Sequence, residues 1–153
     1  MKIKDVLNIF DRLVELPQMN SDLENAIVCL MKLYFSEMQE IELEYDRIRK
    51  ELGLYSDEAS AEMKKLIEKK LKLHKKFWSN QERYYQPLSL GTCNYTWSGF
   101  QEIEVLQNGD DNNQLFLFKA KYIDKKNGNN ENIAYLLKLT KSSLSIEHCF
   151  FEL

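Results

Sequence analysis

The chain has 153 residues, with 44% hydrophobic and 29% charged side chains, a composition typical of a globular protein of one domain. Its formal net charge of −3 argues against nucleic acid as a partner, because phosphate binding needs a basic surface. Three cysteines (Cys29, Cys93 and Cys149) without a Cys-x-x-Cys pair indicate free thiols in a reducing compartment.

Helical periodicity fills the first half of the chain. Residues 3–16 are predicted to form a short amphipathic helix. They lack the apolar core of a signal peptide, and no apolar run in the chain is long enough to span a membrane, so we expect a cytoplasmic protein. Ser21 and Glu24 form a capping-box pattern that begins a long helix over 21–52, and Gly53 is suited to end it.

A second long helix is predicted from Ser56 to about residue 79. The residues of its buried stripe are predicted to be Met63, Ile67, Leu71, His74 and Trp78. Glutamates fill the middle of the first long helix and lysines run along the second. The lysines could bind nucleic acid or anionic lipid, but no aromatic residues interleave them as single-strand binding would require. We therefore favour an antiparallel hairpin in which the two charged helices pair.

After Pro87 the hydrophobic period changes from 3.6 to 2, which predicts strands. The predicted strands cover 100–107, 114–124, 133–140 and 144–151, with one more in 89–98. This segregation predicts an α+β fold, with N-terminal helices packed on a C-terminal curved antiparallel sheet of about four strands. We expect a single domain over 1–153, helical over 1–88 and a β-meander over 89–153.

Residues with catalytic chemistry do not form a recognisable site. His148 and Cys149 are neighbours on a predicted strand, so their side chains should lie on opposite faces, which disfavours a nucleophile pair. Glu102 and Glu104 share a face that we expect to be wet, because Ile103 between them favours the core. No zinc-ligand spacing or phosphate loop occurs. The sequence therefore predicts no enzyme, no cofactor and no metal.

Aromatic residues are densest between Phe77 and Phe100. Most of them should cover the core, but tyrosine and tryptophan also suit a recognition surface. If the chain binds a protein partner, Tyr95 and Trp97 are candidates for the interface, together with Asp110 and Asp111 in a turn.

Several segments of the second half carry a family resemblance. They are Phe77-Trp78, Pro87–Leu90, Phe100–Ile103 and the two arms of a closing hairpin, Ala134–Leu139 and Leu144–Ile146. Residues 77–150 resemble the NTF2-fold immunity proteins of bacterial polymorphic toxin systems. The resemblance implies an NTF2-like cone and a cytoplasmic protein that binds and neutralises a cognate toxin without catalysis.

Two alternatives stay open. An NTF2-like domain could bind a small molecule, or act on it, in a pocket inside the cone, with Tyr122, Tyr135 and His148 as lining candidates. The helical hairpin of residues 21–79 could instead act as a scaffold for a partner.

Overall fold

The fold is α+β, as predicted: two long helices are followed by an open four-stranded antiparallel sheet. A computed structural model describes residues 21–53, 55–82, 85–87, 90, 95–107, 114–125, 128–140 and 143–152. The predicted helix over 3–16 lies outside these residues, as does half of the predicted strand in 89–98. The described residues 95–98 of that segment do not form a strand, and Trp97–Gly99 form a short 3-10 helix instead. The chain divides into two compact units, Met31–Trp97 and a unit in which Ser98–Leu153 joins the residues up to Leu30.

The two helices begin and end close to where the sequence predicts. Helix α1 spans Ser21–Leu52, and Gly53 follows it with a positive φ of 74° that suits a residue lacking Cβ. Helix α2 spans Asp57–Phe77. Ser56 caps it, because its side-chain oxygen accepts a hydrogen bond from the Ala59 amide at 3.0 Å. Neither helix has a stretch that is both long and apolar enough to cross a bilayer.

The buried face of α2 differs from the predicted stripe by about one residue. Its buried residues are Ala59, Leu66, Lys70, His74 and Phe77. Met63, Ile67 and Leu71 from the predicted stripe are only half-buried. The apolar pattern missed this face because a lysine occupies its centre.

The sheet has the order β1-β2-β3-β4, so each strand pairs with its neighbour in sequence. The strands are β1 (Phe100–Gln107), β2 (Leu115–Ile123), β3 (Asn130–Leu139) and β4 (Leu144–Glu152). All three pairings are antiparallel, which short connections between consecutive strands allow.

Both faces of the sheet contain buried apolar side chains. On one face of β2 the buried residues are Phe116, Phe118, Ala120 and Tyr122, which the alternation had predicted. The ring of Phe118 meets Phe100 edge-on, with 6.0 Å between centroids. On the opposite face a second cluster joins Leu115, Leu117, Leu136 and Phe150.

A β-bulge interrupts β1. Gln101 pairs with Lys121 and Glu104 with Lys119, so two residues of β1 oppose one residue of β2. Glu102 has a φ of 52° at this point, in the left-handed region. The bulge breaks the strict alternation. Ile103, expected in the core, is therefore 38% exposed, while Glu102 and Glu104 are exposed as predicted.

Candidate functional site

The helical unit pairs acidic α1 with basic α2 in antiparallel register. Lys70 forms an ion pair with Glu42, and Lys76 lies 3.8 Å from Glu37. Along the hairpin, residue numbers therefore increase on α1 in the direction in which they decrease on α2, so the two helices are antiparallel. The hairpin predicted from the opposite charges of the two helices is present in this unit.

A solvent-facing groove of about 530 Å³ runs between these two helices. Its floor is apolar: Leu73 is half-buried, while Ile41 and Leu66 belong to the core of the hairpin and are 8% and 4% exposed. One wall is acidic and belongs to α1, and the other is basic and belongs to α2. The wall residues are Glu37, Glu40 and Glu44 on α1, and Lys69, Lys72 and Lys76 on α2. An apolar centre with a charged rim is the anatomy of a protein interface.

The carboxylate of Glu44 in the acidic wall is held charged by its neighbours. Hydrogen bonds from Arg47 to Glu44, at 3.0 and 3.1 Å from the guanidinium Nε, lower the pKa of this carboxyl. The positive charge of Lys69, on the other wall, acts in the same direction. Glu51 in turn accepts from Arg47 at 2.6 Å, so the arginine is fixed between two carboxylates along the helix. We therefore expect Glu44 to keep its negative charge throughout the physiological pH range.

The helical hairpin also contains a buried ion pair that the sequence analysis missed. Lys70 is 1% exposed, and its ammonium contacts the carboxylate of Glu42, which is 17% exposed. Taking an ammonium out of water is costly unless a carboxylate compensates it. A lysine spaced four residues from both Leu66 and His74 was the available signal, since that spacing places all three on one helix face.

His74 belongs to an aromatic cluster in the same unit. It stacks on Trp78 with 5.2 Å between centroids, and Tyr34 meets Phe77 edge-on at 5.4 Å. Nε2 of His74 lies 2.8 Å from the Asn80 carbonyl oxygen, which can only accept, so Nε2 carries the proton of the neutral ring. The ring is 1% exposed, which confirms the sequence-based interpretation of His74 as a core residue.

Burial lowers the pKa of His74 below its ordinary value of 6.5, and the Asn80 carbonyl opposes this shift only in part. The unfolded chain therefore binds this proton more readily than the folded one. Above pH 6.5 we expect the protonation of His74 to have no effect on the free energy of unfolding. Below pH 6.5 we expect it to lower this free energy as the pH drops. Urea titrations at pH 7.5 and 5.5, compared between the wild type and His74→Phe, measure this contribution. A fall of the same size in both proteins would contradict the assignment.

His148 and Cys149 do not form a nucleophile pair. In the register of β3 with β4, His148 lies opposite Leu136 and Cys149 opposite Tyr135, so the two side chains point to opposite faces, as predicted. Burial raises the pKa of the Cys149 thiol to about 12, against a hydrogen bond with Tyr135 that lowers it. A thiol with that pKa is protonated at neutral pH and is a poor nucleophile.

The pocket candidates of the small-molecule alternative lie in the sheet unit and are packed. Tyr122 meets Phe100 with 5.1 Å between ring centroids, and Tyr135 meets Phe118 at 6.4 Å. His148 is 4% exposed and stacks on Phe150. In register terms, Tyr122 and Tyr135 share the face of Phe118, whereas His148 lies on the other face. The structure does not bring these three residues together, which weighs against a pocket built from them.

Of the four partner-binding candidates, the structure describes two. Tyr95 and Trp97 are half-buried and lie in the helical unit, next to its boundary at Ser98. Asp110 and Asp111 lie outside the described residues. Among the residues that the structure describes, no group of histidine, cysteine or carboxylate side chains is arranged to hold a metal ion.

The chain matches no protein-family model, no curated protein and no solved structure. The likeness to the NTF2-fold immunity proteins therefore depends on the sequence segments alone.

Proposed function

We propose that this protein is a non-catalytic protein-binding domain of the bacterial cytoplasm that binds and neutralises a cognate toxin. The resemblance over residues 77–150 supplies the class of partner. The observation that supports protein binding is the groove of the helical hairpin, where a charged rim surrounds an apolar floor.

The state of the ionisable groups supports binding over catalysis. Three ionisable sites in the interior are paired or held in one protonation state: Lys70 with Glu42, His74 as the neutral ring, and Cys149 as the thiol. A catalytic acid or base instead needs a pKa near the working pH and access to substrate. The charged rim of the groove lies on the helical hairpin, where it can guide encounter with a charged protein.

Growth protection tests the proposal. The chain is co-expressed with the toxin-like product of the adjacent reading frame, and we expect growth to be restored. The variant Tyr95→Ala/Trp97→Ala should weaken protection, whereas Tyr55→Ala should keep it, because Tyr55 is 97% exposed and belongs to no candidate surface. Thermal melts of the purified variants separate loss of binding from loss of folding. Growth no better than with the toxin alone would contradict the proposal.

A further inference from the structure

We propose that the groove between α1 and α2 is occupied by the groove of a second copy of this chain. Two hairpins then form an antiparallel four-helix arrangement with a two-fold axis parallel to the helices. This inference rests on the interpretation of the groove as a protein interface in the proposed function. It assigns the groove to a second copy, so the toxin would bind elsewhere, at the surface of Tyr95 and Trp97 that the growth assay tests.

Charge complementarity selects this occupant. Each groove carries one acidic and one basic wall, side by side. A two-fold axis parallel to the helices places α1 of one copy against α2 of the other, so each acidic wall meets a basic wall. It also makes facing helices antiparallel, because α1 and α2 run in opposite directions within one chain. Such an interface is isologous, so one patch serves both partners.

Because of the register of the hairpin, the acidic and basic walls lie at the same position along the helix axis. Glu37 lies level with Lys76, as their 3.8 Å separation within one chain shows. Rotation about an axis parallel to the helices leaves height along the helices unchanged. Glu37 of one copy is then level with Lys76 of the other, and the remaining wall residues pair in the same order without any shift.

The alternative two-fold arrangement places like charges opposite each other. A two-fold axis in the interface but perpendicular to the helices would set α1 against α1 and α2 against α2. Carboxylates would then face carboxylates, and ammonium groups would face ammonium groups, which costs several kcal/mol in an interface. The charge pattern therefore specifies both the partner and its orientation.

The length of the groove determines how strongly we expect the two copies to associate. Its acidic wall extends from Glu37 to Glu44, about two helical turns or ~10 Å along the axis. An interface of this length is at the small end for proteins, so we expect a dissociation constant in the micromolar range. Exposed charges are screened by salt, so the association should weaken as ionic strength rises.

Sedimentation equilibrium of the full chain, followed up to millimolar concentration, tests the proposal with two variants. Glu37→Lys/Glu40→Lys makes both walls basic, and Lys72→Glu/Lys76→Glu makes both walls acidic. We expect each variant alone to associate about 100-fold more weakly than the wild type, because like charges now face each other. An equimolar mixture of the two should form a heterodimer, since every facing pair of walls is then opposite in charge.

A matched control has the same change in charge outside the groove. Lys64 and Lys75 are exposed on α2 and do not line the groove, so Lys64→Glu/Lys75→Glu should dimerise like the wild type. Formation of the heterodimer also shows that both groove variants are folded.

Three results would overturn the proposal: a wild-type chain that stays monomeric at millimolar concentration, a mixture that does not associate, or a control that loses as much affinity as the groove variants. A monomeric wild type whose groove variants lose growth protection would instead make the toxin the occupant. Growth protection by a monomeric groove variant would leave toxin binding intact, so the two proposals fail independently.

Discussion

Replacing Glu42 with leucine is expected to lower the free energy of unfolding by about 3 kcal/mol, because it removes the carboxylate that pairs with the buried ammonium of Lys70. In a domain of this size that loss corresponds to a fall in melting temperature of about 6–12 °C. Urea and thermal unfolding of the purified variant measure it.

The reciprocal change should cost less. Lys70→Met leaves Glu42, which at 17% exposure still reaches water, so we expect a loss of about 1–2 kcal/mol. The double variant Glu42→Leu/Lys70→Met should recover most of the stability, because apolar side chains of similar volume commonly replace a buried ion pair at little cost. Strictly additive single effects would contradict a direct interaction between the two side chains.

Truncating Phe118 to alanine should cost about 3–5 kcal/mol, the range for removing a large ring from a packed core. Phe118 is 0% exposed and contacts the rings of Phe100 and Tyr135. The matched control is Lys119→Ala, one residue further on the opposite face, where the side chain is exposed and a change within about 0.5 kcal/mol is expected. Urea unfolding of both variants gives the comparison.

The same measurement bears on the small-molecule alternative. If Phe118→Ala costs less than about 1 kcal/mol, the ring does not fill a packed core, and this face of the sheet has room for a ligand. A cost in the expected range supports an interior of packed rings around Phe118.

Local signals in the sequence were enough for the element order and most boundaries. The cap at Ser56 and the glycine at position 53 each act within a few residues, so their effect can be read without tertiary information. The period-2 alternation of β2 likewise placed Phe116, Phe118, Ala120 and Tyr122 on one buried face.

The sequence-based predictions were wrong where a residue distant in the sequence determines whether a side chain is buried. Lys70 is buried because Glu42, 28 positions earlier in the chain, supplies its counter-charge, and no pattern within α2 contains that information. Ile103 is exposed because the bulge at Glu102 shifts the pairing of β1 with β2. A non-glycine residue with positive φ is uncommon, and nothing in the sequence around Glu102 indicates one.

The candidate site was predictable only in its composition. The sequence shows an acidic helix and a basic helix, and it favours their pairing. It does not show that the walls leave an apolar floor open between them, because this depends on how far Ile41, Leu66 and Leu73 lie from the surface after the helices pack.

The most direct test of a toxin-binding function is isothermal titration calorimetry of the purified chain against the product of the adjacent reading frame, with the activity of that product followed in parallel. We expect a saturable complex with a dissociation constant in the nanomolar range or below, and loss of the product's activity at the same stoichiometry. Absence of binding heat at several temperatures, together with undiminished activity of the product in excess of this protein, would contradict it.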